Sequence, residues 1–360
     1  MSQLVLIAPA AFKGTFGPRQ VADALAAGVR QALPDAAVLQ CPVSDGGDGL
    51  LDAVLPPGSH RERLEVTGPL GEPVSGELGW IDPETAIFES ATACGIALLQ
   101  PDQLDPLRAT TRGVGELIWE AVERGGKSVV VGLGGSATVD GGTGAARGLG
   151  WSLVDSTGAQ LPEGGGSLVK LTEVEGGWSI AARVVALADV TTPLVGAKGA
   201  ALVFGPQKGA GPEAVKLLSR GLDRLAEVMA RHGRNDLATL AGGGAAGGLG
   251  AGLAFFAKAQ LTGGADWVLE RVGFDAALAK AQLVITGEGS FDRTSLVGKA
   301  SGEVVRRAQA AKKRVAVVAG KVEGLVGLHA LDGNGRVLDA AGITALAQQA
   351  VREVFGLPAA

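Results

Sequence analysis

The chain has 360 residues, too many for one ordinary core, and its 46% hydrophobic and 19% charged residues exclude a disordered protein and suggest two α/β lobes. A net charge of −5 without any basic stripe argues against a nucleic-acid partner, while a local positive pocket for a small anion stays open. Three histidines at no metal-binding spacing and two cysteines, Cys41 and Cys94, in apolar surroundings point away from zinc and disulfide chemistry.

The first apolar run, residues 4–8, reads as a strand followed by a loop over 9–17. No basic leader or cleavage site precedes it, so a cytoplasmic location is expected. Pro18 suits a first helical position, and Val21, Leu25, Val29 and Leu33 recur every four residues until Pro34 ends the helix. The strand predicted over 38–43 then delivers Ser44-Asp45-Gly46-Gly47-Asp48-Gly49.

From residue 63 to 90 short β-prone pieces separated by Gly-Pro turns predict an antiparallel meander. Beyond it a helix is marked by Val114, Leu117, Ile118 and Ala121, and strands are predicted over 128–131, 183–188 and 201–204, with a helix over 215–229. Residues 237–257 carry no charge, but their glycines make a poor membrane span and no membrane partner is expected. Near the end, 283–286 and 315–319 again read as buried parallel strands. A discontinuous lobe of 1–62 plus 283–360, with an inserted lobe of 63–282, is the simplest organisation.

Five glycine-rich segments share one expected design, an apolar strand, then glycines and polar residues, then a helix: 45–49, 132–144, 205–209, 242–250 and 287–292. Such loops collect at the carboxyl ends of parallel strands and favour phosphate and carboxylate anions. Gly126-Lys127-Ser128 precedes a strand and is no phosphate-binding P-loop; the glycines at 242, 244 and 247 lack a preceding strand; Thr138 spoils a nucleophile elbow at Ser136. What remains is carboxylates and lysines on glycine loops, the groups that phosphoryl transfer needs. Asp45, Asp48, Asp140, Asp189 and Asp292 are the candidate acids, and Lys13, Lys208 and Lys299 the candidate cations. Each also has a plain structural reading: Asp45 or Asp140 as a helix cap, Asp189 as a turn residue, Glu288 and Asp292 as solvated acids, Lys299 as decoration of a helix start.

These segments, in their order, carry a likeness. Ala8-Pro9 with Phe12-Lys13-Gly14, the run 44–49, Thr67-Gly68-Pro69-Leu70-Gly71, the run 134–142, Asp189-Val190-Thr191, the run 204–210, 244–248, 285–289, Asp292 and Gly298-Lys299 resemble the type 1 glycerate kinase family of bacteria from end to end. The resemblance implies a two-lobed α/β protein, a flavodoxin-like parallel-sheet domain with an inserted second α/β domain. It also implies ATP- and Mg2+-dependent phosphorylation of D-glycerate to 2-phosphoglycerate, possible oligomers, and expected roles for the candidates. Asp45, Lys13, Asp189 and Asp292 are expected to be catalytic, with Asp45 and Asp189 on the metal. Ser44, Gly46, Gly47, Asp48, Gly134, Gly135, Ser136, Asp140, Lys208, Gly287, Glu288 and Lys299 are expected to bind substrate or ATP.

The chain departs from the family where Ala10 and Ala11 replace the usual Asp-Ser, Asp48 replaces Glu and Thr192 replaces Asn, and the tail beyond Lys321 is shorter and poorly matched. Ala10-Ala11 motivates the alternative of a weakened or non-catalytic anion-binding homologue with a regulatory role.

Overall fold

The computed structural model describes residues 3–296, 298–324 and 328–358. Its contacts divide the chain into unit one, Met1–Pro56 with Gly263–Ala360, and unit two, Pro57–Thr262. Against the boundaries drawn from sequence, residues 57–62 group with unit two because they lead into its edge strand. Residues 263–282 group with unit one because their two helices, Gly264–Arg271 and Phe274–Lys280, pack there.

Unit one opens with β1 (Leu4–Ile7) and β2 (Ala37–Gln40), joined by the helix Pro18–Ala32. Proline at its first turn costs no hydrogen bond, and Val21, Leu25 and Val29 on one face are fully buried. Unit two then contributes β3 (Arg61–Thr67), β4 (Pro73–Asp82), β5 (Thr85–Glu89), β6 (Ser128–Gly132), β7 (Trp151–Val154), β8 (Glu173–Gly176), β9 (Arg183–Leu187) and β10 (Gln260–Thr262). The chain returns to unit one with β11 (Leu283–Phe291), β12 (Arg314–Val322) and β13 (His329–Asp332).

The sheet of unit one runs β13-β12-β11-β1-β2 and every pairing is parallel. Counted within the unit, this is the flavodoxin-like order, with helices on both faces. Both faces being covered explains the continuous apolar runs at Val5–Ile7 and Leu283–Ile285, all without exposure. Val5, Ile7, Leu25, Val29, Ile285, Val318, Ile343 and Val351 share one core, each large apolar side chain there stabilising the unit by roughly 1.5–3 kcal/mol. Unit two holds a six-stranded sheet, β10-β9-β6-β5-β4-β3, antiparallel through the β3-β4-β5 meander and parallel elsewhere, and a separate β7-β8 pair.

Residues 201–204, expected as a strand, lie in the helix Ala200–Phe204. The period decides this: Ala200 and Ala201 are buried while Leu202 and Val203 face out together, which a strand cannot do. The charge-free stretch contains the helix Ala245–Phe256, interrupted by left-handed backbone at Ala246, Gly247 and Gly248. Among the described residues no helix is long and apolar enough to cross a membrane.

Candidate active site

In unit one the chain leaves β1 toward β2 on one side and reaches β11 on the other, so β1 and β11 flank the point where strand order reverses. Ligands of open parallel sheets bind at the carboxyl ends of the strands beside such a point. Two hydrogen-bond networks hold the loop after β1 in place there. Cys41 N–H donates to Ile7 O (2.7 Å) and Val43 N–H to Pro9 O (2.9 Å) from the β2 side. Ala10 N–H donates to Gly287 O (2.9 Å) and the buried Thr286 hydroxyl to Ala8 O (2.7 Å) on the β11 side.

Over these strand ends opens a cavity of about 410 Å³. Its lining brings together six of the sequence candidates: Lys13, Ser44, Asp45, Asp48, Glu288 and Lys299. Asp45 Oδ1 accepts the Gly47 N–H (3.1 Å) and the Ser44 hydroxyl accepts the Gly46 N–H (3.2 Å), so the two side chains shape a tight turn. That leaves the half-buried Asp45 carboxylate on the cavity wall, with the exposed Asp48 beside it. Opposite, Glu288 Oε1 accepts the Ser301 hydroxyl at 2.5 Å, and Lys299 Nζ lies 3.6 Å from Glu288 Oε2 and 3.4 Å from Ser295 Oγ. Lys299 immediately precedes the helix Ala300–Ala310.

Other candidates go elsewhere. Gly287 is not in a phosphate loop, because β11 continues through Phe291; a Cβ on it would meet Val318 O at 2.0 Å, which is why the position is glycine. Asp292 turns the chain after that strand, its Oδ1 accepting the Thr294 hydroxyl and N–H (2.6 and 2.7 Å) and the Ser295 N–H (3.2 Å). These bonds, the Thr294 pair foremost, hold its carboxyl below the ordinary range, and Asp292 does not line the cavity. Asp189 stands in unit two, just beyond the end of β9.

A second group of candidates gathers after β6 in unit two. Lys208 ends a short turn, Pro206–Lys208, which follows a helix and not the strand expected before 205–209. The Lys208 ammonium is buried and donates to Ser136 Oγ (2.8 Å) and Thr138 O (2.7 Å), fastening the loop that contains Gly134 and Gly135. Burial pulls it down to about 8, against the opposing pull of Cys94 and Asp140. Asp140 is fully buried and accepts four donors: Thr111 N–H (2.9 Å), the Thr111 hydroxyl (2.8 Å), Gly142 N–H and Gly144 N–H (both 3.0 Å). Three of these fall on Oδ2 and one on Oδ1, and they make Asp140, expected to bind substrate or ATP, the tie between the helix Thr143–Gly148 and the 111 segment. Burial pushes its carboxyl up while those bonds oppose the shift.

The Lys208 environment has a checkable consequence. Its ordinary value of 10.5 falls to about 8 on folding, so between those pH values the unfolded chain binds the extra proton and stability rises with pH. Wild type is expected to gain about 2 kcal/mol between pH 8 and 10 relative to Lys208→Met in urea unfolding. Equal pH slopes for the two proteins would mean that the ammonium is solvated.

Among the described residues no group of three or more His, Cys, Asp or Glu could hold a metal by itself. Magnesium needs no such cage, since it takes one or two carboxylates together with phosphate oxygens, and Asp45 and Asp48 on one wall of the cavity fit that demand.

Sequence reading missed part of the lining: Thr15, Ser290, Ser301, Gly320, Lys321 and residues 335–338. Gly320 and Lys321 were within reach, because they end β12, whose middle the sequence marks clearly. Residues 335–338 follow the four-residue β13, His-Ala-Leu-Asp, too short and mixed to be read as a strand.

Comparison with known proteins gives a consistent picture. A model of the family described as the glycerate kinase family matches residues 5–351. Escherichia coli K12 glycerate 2-kinase is 39% identical over 347 residues, 94% of this chain and 91% of the relative. Bacillus subtilis glycerate kinase is 38% identical, over 88% of this chain and 85% of its own length. A crystal structure from Salmonella typhimurium LT2, provisionally named glycerate kinase 2, superposes with a TM-score of 0.85 at 35% identity, covering 99% of both chains.

Proposed function

Because the chain belongs to the glycerate kinase family, phosphotransferases with an alcohol group as acceptor, we propose that it transfers the γ-phosphoryl group of ATP to a hydroxyl of D-glycerate, with Mg2+, releasing 2-phosphoglycerate. The observation that carries this reading is the cavity over the carboxyl ends of β1 and β11, lined by carboxylates and lysines together. In phosphoryl transfer the protein positions the reactants and offsets charge. Asp45 accepts the proton of the attacking hydroxyl, held in place by its turn with Gly47. Lys13 and Lys299 offset negative charge on phosphate or on the substrate carboxylate. Asp48, beside Asp45 on the cavity wall, would hold Mg2+, which when bound neutralises charge on the phosphate oxygens. The name of the Escherichia coli relative, glycerate 2-kinase, supports the 2-phosphorylated product.

The test is ADP release from MgATP with D-glycerate, followed by NMR of the product. Phosphorus coupled to the lone C2 proton supports the reading; coupling to the C3 protons overturns the 2-product. A second reading follows from the two methyl groups that Ala10 and Ala11 put on the cavity wall: a homologue that binds nucleotide but does not turn over. ADP binding without ADP release would favour it.

Lys13→Met is expected to lower kcat/KM for D-glycerate about 10- to 100-fold, and the methyl ester of glycerate, lacking the carboxylate charge, is expected to be a poor wild-type substrate. Steady-state kinetics on acid and ester check this. Equal kcat/KM for the two would exclude a cationic carboxylate clamp.

A further inference from the structure

The cavity is larger and longer than a three-carbon acid requires. Its volume of about 410 Å³ falls in the range of sites for drug-sized ligands. Strand order gives it a direction. Ser44, Asp45 and Asp48 come from the loop after β2 and residues 10–15 from the loop after β1. Glu288 to Ser290 end β11, Gly320 and Lys321 belong to the end of β12, and residues 335–338 follow β13 at the opposite edge. Four strand spacings separate β2 from β13, about 19 Å, whereas an extended three-carbon acid is roughly 5 Å long. One end of this row is acidic, the middle carries Lys13, Lys299 and Lys321 with Glu288 paired to Lys299, and the far end sets the apolar Val337 and Leu338 beside Arg336.

The far end is held in position. Gly333 N–H donates to Ala319 O and Gly335 N–H to Gly320 O, both 2.9 Å, so the segment after β13 is fastened to the end of β12. A Cβ on Gly320 would lie 2.8 Å from Gly289 O and 3.1 Å from Arg336 O, so this close seating needs glycine there. Val337 is left 82% exposed, the most exposed large apolar side chain among the described residues. A single exposed valine is unremarkable on an open surface, but this one edges a cavity whose other end is charged.

We infer that residues 335–338 form the nucleoside subsite of the cavity, with Val337 as the apolar face against which the flat base of ATP lies and Arg336 on its phosphate side. This rests on the kinase reading for the placement of the acceptor at the Asp45 end. A base offers an apolar face and a triphosphate the length to reach from β13 toward β2, neither of which glycerate has.

The experiment uses the full chain and two variants at an exposed position where folding is not at stake, Val337→Asp and Val337→Ser. ADP and pyrophosphate are titrated by calorimetry, and KM is measured for ATP and for D-glycerate. Val337→Asp is expected to weaken ADP about tenfold and leave pyrophosphate within twofold; Val337→Ser is expected to weaken ADP at least threefold. KM for ATP is expected to rise with that for glycerate nearly constant. Unchanged ADP affinity, equal weakening of ADP and pyrophosphate, or a rise confined to the glycerate KM overturns the subsite. A wild type that binds ADP but does not phosphorylate D-glycerate overturns the kinase reading instead, and the ADP titrations still decide the subsite.

Discussion

Replacing Asp45 by Asn is expected to lower kcat at least about a hundredfold while leaving the fold intact. The amide keeps an oxygen to accept the Gly47 N–H, so the turn survives. What is lost is the negative charge on the cavity wall, and with it a proton acceptor or a metal ligand. About 2.7 kcal/mol of transition-state stabilisation corresponds to that factor. Steady-state kinetics beside a thermal melt separate the two effects. A folded Asp45→Asn protein with near-normal turnover would reduce Asp45 to a turn former.

Asp140→Ala is expected to do the opposite: to damage the fold first. It strands four donors that have no water to turn to, the Thr111 N–H and hydroxyl and the N–H groups of Gly142 and Gly144. Each orphaned buried donor costs about 1–3 kcal/mol, partly relieved by local rearrangement, so the total loss is expected to be roughly 3–5 kcal/mol in urea unfolding. A loss under about 1 kcal/mol together with abolished nucleotide binding would restore Asp140 to the ligand site.

The contrast between these two aspartates shows where the sequence was legible. Both sit in Asp-Gly-Gly runs, so local pattern cannot separate them; burial does, and burial is a property of the packed unit. The parallel sheet of unit one could be read because both its faces are covered, which makes Val5–Ile7 and Leu283–Ile285 continuous apolar runs. The helix Ala200–Phe204 could not, since five residues span too little of a helical period to outweigh Val203 and Phe204, which favour strands. Lys13 and Lys299 are legible because each belongs to a motif, Phe12-Lys13-Gly14 and Gly298-Lys299. The wall at 335–338 carries no motif and is defined only by the glycine at 320 that lets it settle against β12.

The sheet of unit one is built from two stretches of chain that are made far apart in time. Val5 pairs with Leu283, and everything between Pro57 and Thr262 belongs to the other unit. On the ribosome the early stretch supplies only β1 and β2, and two strands alone are at best marginally stable. Unit two, continuous and with its own cores, emerges complete before β11 exists. The nascent protein therefore carries an unfinished sheet edge at β1, and the cavity that holds Asp45 closes last, when the final strands leave the exit tunnel.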